Sequence, residues 1–219
     1  MAINSNGPAL RNRVMVIAIA LSVTPVVVAA GITIEAESFV RQSADDLCQW
    51  QRVSASAPTS DLVDGDPPHH ASASGGAYLE LLPDTRRTHG DKLTPGENFS
   101  NEPGKLGVLD YTVNFSEAGR YYVWVRAYST GSEDNGIHVG LNGEWPESGR
   151  RMQWCDGKNQ WFWESKQRTA AEHCGVPHGI YLDIPTAGEH TVSFSMREDG
   201  FEFDKFLLTK DRDHERPKD

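Results

Sequence analysis

Polar and apolar residues alternate with a period of two along much of this chain. Leu109-Asp110-Tyr111-Thr112-Val113-Asn114-Phe115 puts four apolar side chains on one face and three polar ones on the other. Residues 120–128 read Arg-Tyr-Tyr-Val-Trp-Val-Arg-Ala-Tyr, the strongest strand signal, rich in aromatic and β-branched side chains. Strands are also expected over 77–82, 136–141, 179–184, 188–196 and 200–208, and a short one over 31–39. Pro83-Asp84, Gly119 and Pro185 punctuate them, and Asn142-Gly143 is a hairpin signal. No long stretch carries a helical period; only Ala170–His173 reads as a single helical turn. About eight short strands predict an all-β fold, a β-sandwich of the jelly-roll kind.

Two connections exceed the usual length, one from about Pro83 to Lys105 and one from about Gly143 to Pro177. The second holds Trp145, Trp154, Trp161, Phe162 and Trp163, four of the six tryptophans. Exposed indoles mark interfaces, and Trp161 and Trp163, two apart in an extended segment, would share a face as a platform for a sugar ring. The competing reading packs these aromatics into a satellite core. Arg86, Arg87, His89 and Lys92 make the first connection basic, and Arg150, Arg151, Lys158, Lys166 and Arg168 do the same for the second. Should they converge, an acidic or sulfated polymer becomes the natural ligand; otherwise they are solvated loops balanced by Glu144, Glu147, Asp156 and Glu164. Asn135, in the turn Asp134-Asn135-Gly136, can address a hydroxyl pair or simply form the turn.

The first and last strands carry carboxylates. Alternation puts Glu35 and Glu37 on one face of the first, and Asp204 on the face of Phe206 and Leu208, pointing inward. Brought together, the three make an oxygen-rich pocket suited to Ca2+. The alternative leaves both glutamates in water and pairs Asp204 with a lysine or backbone donors.

Residues 1–30 combine Arg11 and Arg13 with an apolar run and close on Val28-Ala29-Ala30, which reads as a cleaved export signal and places the protein outside the cell or in the periplasm. Residues 31–210 form the expected domain, and the charged, apolar-free segment 211–219 reads as a flexible tail. The net charge of −10 over 219 residues argues against a nucleic-acid partner, and no later apolar run suggests membrane insertion. Export permits disulfides. Cys155 and Cys174 flank the Trp-rich insertion and are the expected pair; Cys48 is left over, either inert or a replacement for one of them. The eight histidines show no H-E-x-x-H or H-x-H spacing, and no G-x-S-x-G occurs.

Several segments together resemble carbohydrate-binding modules of the family 6 and 35 type and the C-terminal module of glycoside hydrolase family 115. They are Ile32-Thr33-Ile34-Glu35-Ala36-Glu37, Gly75-Gly76-Ala77-Tyr78-Leu79-Glu80-Leu81, residues 117–127, residues 134–143, and the closing stretch 187–208. The resemblance implies a galactose-binding-domain-like β-sandwich with structural Ca2+ at Glu35, Glu37 and Asp204. It also implies a ligand site at the loop end drawing on Tyr78, Asn135, Trp161 and Trp163, with Trp154 a further candidate from the insertion. The implied function is secreted, non-catalytic binding of a polysaccharide or oligosaccharide, in the company of a separate polysaccharide-degrading enzyme. The competing classes are a small polysaccharide lyase or glycosidase of jelly-roll form, and a surface adhesin or assembly subunit.

Overall fold

The computed structural model describes Met1 and residues 31–218, apart from 44, 46, 58 and 59. The expected export signal lies outside the described residues, Met1 excepted. Twelve strands form two sheets among the described residues. In chain order they are β1 (Ile32–Glu35), β2 (Arg41–Gln42), β3 (Gln49–Ser54), β4 (Ala77–Leu82), β5 (Leu109–Phe115), β6 (Gly119–Tyr128), β7 (Gly136–Leu141), β8 (Met152–Gln153), β9 (Trp161–Glu164), β10 (Tyr181–Ile184), β11 (Gly188–Met196) and β12 (Glu202–Thr209). One sheet runs β10-β6-β12-β4-β3, with β1 added to β12 and β9 to β6; the other runs β2-β5-β11-β7-β8. All pairings are antiparallel. The expected β-sandwich is the fold observed.

The core lies between the sheets and is rich in rings. Tyr111 and Phe194 from one sheet meet Phe203 and Phe206 from the other at centroid separations of 4.8–6.4 Å, geometry that adds to the gain from burying their area. The Tyr111 hydroxyl donates to the Ala36 carbonyl at 2.7 Å, tying β5 to the end of β1. Asn142 and Gly143 both have positive φ, and Leu141 and Glu144 exchange backbone hydrogen bonds of 2.9 Å, so the hairpin forms where Asn-Gly predicts it.

Several expectations need correction. The insertion over 143–177 is not a plain loop, since it supplies β8 and β9. Ala170–His173 is not helical. Glu37 is not in a strand: β1 stops at Glu35, and Ala36–Ser38 turns through a 3-10 helix that buries Ala36, so the two glutamates do not share a strand face. Asp204 is fully buried, as expected, but not on the face of Phe206 and Leu208. The β12–β6 register shifts between Phe203 and Lys205, so Phe203, Phe206 and Leu208 all reach the core while Asp204 is carried out of the alternation. The charged tail docks: Arg216 Nε donates to the Trp163 carbonyl at 3.1 Å and its guanidinium lies 4.1 Å from the Phe162 ring centroid. A planar cation stacks on a half-buried ring without needing apolar neighbours in sequence.

Candidate functional site

The long connections meet beside the β7–β8 edge of the second sheet. Two adjoining cavities, of about 420 and 260 Å³, share Arg151, Arg168 and His173 as walls. Residues 83–108 contribute Arg86 and His89; the insertion contributes Arg150, Arg151 and Arg168; the β11–β12 turn contributes Arg197. Arg86 and His89 of the first expected loop and Arg150, Arg151 and Arg168 of the second therefore converge, whereas Arg87, Lys92, Lys158 and Lys166 do not line the cleft. Lys158 Nζ donates to Ser129 Oγ at 2.6 Å and Lys166 pairs with Asp156 and Glu164.

Local pairing fixes this cleft. Gly136 lies opposite Gln153 across β7 and β8, which brings Gln153 Nε2 to within 2.6 Å of Asn135 Oδ1, and the Asn135 backbone N–H donates to Glu198 Oε2 at 3.1 Å. Arg151 adopts φ 51° and donates to Glu198 Oε1 at 3.2 Å. Arg86 and His89 both pair with Glu133. Arg197 stacks 3.5 Å from the Phe99 ring centroid. Arg168 donates to the uncharged Gln153 Oε1 at 3.5 Å, and exposed Arg150 pairs with exposed Glu147 at 3.4 Å. Burial, opposed by Glu198 and reinforced by neighbouring guanidiniums, pulls Arg151 down to about 10 and Arg197 down to about 9. Burial and the same guanidiniums pull His138 down to about 4. The Nε atoms of Arg86, Arg151 and Arg197 are buried without acceptors. Unsatisfied buried donors in a positive field are chemistry that an anion satisfies.

Of the predicted ligand residues, Asn135 lines this cleft, whereas the aromatic ones do not. Trp154 is completely buried in the main core against Phe201. Trp163 packs with Trp124 and Leu207 as a small second core. Trp161, 7 % exposed, lies edge-on to Tyr78 and Tyr128. Trp154, a separate ligand candidate and no part of the Trp161–Trp163 platform, is 0 % exposed, and Tyr78 is 1 % exposed. For Arg86, Arg151 and Arg168 the sequence signal is the basic character of two distant loops, whereas nothing in the sequence marks Arg197 or Gln153 as lining the same cleft.

The terminal carboxylates gather where β1 and β4 share one edge of β12. Asp204 Oδ1 accepts from the Ser74 backbone N–H at 2.7 Å and Oδ2 from Arg126 Nη1 at 2.6 Å. Ser74 Oγ donates to Glu35 Oε1 at 2.9 Å. Glu37 Oε2 is buried without a partner, and burial, then Glu35 and Asp204, raise the Glu37 carboxyl above its usual range. Cys155 and Cys174 are bonded, with Cα atoms 5.4 Å apart. Cys48 is a free, buried thiol that burial and Asp45 push up to about 12, so it is unreactive.

Fold and cleft together define a small β-sandwich domain with an arginine-lined opening among its long connections. Residues 66–215 match the model of the glycosyl hydrolase family 115 C-terminal domain, and the chain belongs to that family. It is 62 % identical over 178 residues to "Uncharacterized protein P23" of Formosa agariphila, covering 81 % of this chain and 43 % of that protein, so it spans less than half the relative's length. Similar solved structures include a CBM35 from Paenibacillus barcinonensis (14 % identity, TM-score 0.48, 83 % of this chain and all of that one). Another is the C-terminal CBM6 of LamC, a laminarinase from Zobellia galactanivorans (15 % identity, TM-score 0.41, 82 % of this chain and 99 % of that one).

Proposed function

We propose that this domain is a secreted, non-catalytic carbohydrate-binding module whose ligand is an anionic polysaccharide bearing uronate or sulfate groups. The observation that carries the reading is the convergence of Arg86, Arg150, Arg151, Arg168 and Arg197 on one opening in a chain of net charge −10. Arg150 and Arg168 contact the anionic groups, Asn135 and Gln153 read hydroxyls, and Glu133 and Glu198 hold the remaining guanidiniums in place. Membership of a glycoside hydrolase C-terminal family supports a carbohydrate partner and an association with a polysaccharide-degrading enzyme. The disulfide supports an oxidising compartment.

Structural Ca2+ belongs to the same proposal. Glu35 and Glu37 hold the ion, using the unpartnered Glu37 Oε2, and Asp204 adds a lone pair left over from Ser74 and Arg126. Chelation then lowers Tm, and Glu37→Gln removes that response; a Tm indifferent to chelator removes calcium from this position.

The binding test is retention on uronate-bearing, sulfated and neutral polysaccharides, with reducing ends measured in the same tubes. Retention by anionic polymers alone, weakened by salt and by Arg168→Ala and without release of new ends, is expected. Equal retention by neutral polymers would overturn the anionic ligand, and new ends would make the domain an enzyme.

A further inference from the structure

A second polar cluster lies on the outer face of the first sheet, apart from both the cleft and the terminal carboxylates. Pairing register sets one row across five strands: Trp161 opposite Tyr128, Tyr128 opposite Glu202, Glu202 opposite Glu80, and Glu80 opposite Gln51. Residues directly opposite share a face, so two carboxylates stand side by side, and each is only 1 % exposed. Like charges in that relation are destabilising unless something stands between them.

The connection between β3 and β4 folds over this row and adds Asp64, Asp66 and His69. The donor atoms of Asp66, His69 and Glu202 lie within 4.8 Å of one another, and so do those of Asp64, Asp66 and Glu80. No lysine or arginine among the described residues forms an ion pair with any of these four carboxylates; Glu202 pairs with His69. Glu80 Oε2 accepts from the Tyr78 hydroxyl at 3.3 Å, Glu80 Oε1 is buried with no partner, and one Glu80 oxygen lies within the cluster. His69 is held from three sides. Its ring stacks on Tyr128 at 3.7 Å, its backbone N–H donates to the Tyr78 hydroxyl at 3.3 Å, and its carbonyl accepts from Trp161 Nε1 at 3.4 Å. Tyr128, Tyr78 and Trp161 thus fix the position of His69 beside Glu202.

We propose that Asp64, Asp66, His69, Glu80 and Glu202 form a binding site for one divalent first-row transition ion, Mn2+ or Zn2+. Four carboxylates and one imidazole suit such an ion, whereas Ca2+ and Mg2+ favour all-oxygen shells. The ion stands between Glu80 and Glu202, takes up the unpartnered Glu80 oxygen, and replaces the present contact of 2.7 Å between His69 Nδ1 and Glu202 Oε1.

The test uses the full chain, stripped with chelator and returned to excess Ca2+ so that the Glu35–Glu37 position is filled, then titrated with Mn2+ and with Zn2+ by calorimetry, and with Mn2+ by electron paramagnetic resonance. One equivalent is expected to bind in the presence of Ca2+. Glu80→Gln and His69→Ala should each weaken it by roughly tenfold or more, while Glu37→Gln leaves it unchanged. Should either variant fail to fold, the wild-type protein still decides: Mn2+ should broaden the His69 ring protons before those of the other histidines. Loss of binding in excess Ca2+, wild-type affinity in both variants, or first broadening at another histidine would overturn the site.

Discussion

The two halves of the Cys155–Cys174 insertion behave in opposite ways. The first, from Trp154 to Glu164, sinks into the molecule: Trp154 enters the core, its Nε1 donates to the Phe162 carbonyl at 3.0 Å, and β9 pairs with β6. The second, from Arg168 to His173, stays at the surface and walls the cleft. The disulfide joins them. Indoles here anchor, and guanidiniums face the opening; a tryptophan-rich insertion need not be a tryptophan-lined site.

The sharpest way to break that division is Trp154→Ala, which removes a fully buried ring and should cost about 3–5 kcal/mol in denaturant unfolding. Replacing Cys155 and Cys174 with serine should cost about 3 kcal/mol, and with the Arg168 half then less constrained, polysaccharide retention should fall further than stability alone explains.

The third prediction concerns pH. His138 takes up a proton near its ordinary value when unfolded but only near about 4 when folded, because burial and then the neighbouring guanidiniums oppose the charge. Between those values the unfolded chain binds more protons, so acidification from about 6.5 to about 4 removes stability, by at most on the order of 3 kcal/mol. Comparing urea midpoints of the wild type and His138→Gln across that range isolates the effect, since other titrating groups are common to both; parallel curves would sink it. The smallest expected effect is Arg168→Ala, with retention of an anionic polymer roughly tenfold weaker, on the order of 1.4 kcal/mol, and Tm unchanged. A large Tm loss would show that Arg168 is structural.

Most of the sandwich was legible because its central strands alternate cleanly, as β5 and β11 do. β3 was missed because Gln49-Trp50-Gln51-Arg52-Val53-Ser54 buries only Trp50 fully and looks like a polar connection. β9 is not legible because Trp161-Phe162-Trp163, three consecutive rings inside a long connection, shows no polar–apolar alternation. The displacement of Asp204 was not legible, since periodicity carries no mark of a bulge. Loop basicity was visible, but Arg86 and Arg168 meet only after both sheets have formed. The Glu80–Glu202 pair was hidden for the same reason: each sits in an ordinary alternating strand, and only register makes them neighbours.

The pairing of β1 with β12 also has a mechanical side. Ile32 lies opposite Leu208 and Glu35 opposite Lys205, so the chain enters and leaves this pair at the same end. A load carried through the segments before Ile32 and after Thr209 peels the two strands apart one hydrogen bond at a time instead of shearing them together. Tension would therefore unzip β1 from its Ile32 end and reach the Glu35–Ser74–Asp204 contacts only as the last of that pair opens, while the arginine cleft, built on other connections, stays intact until the sheets themselves part.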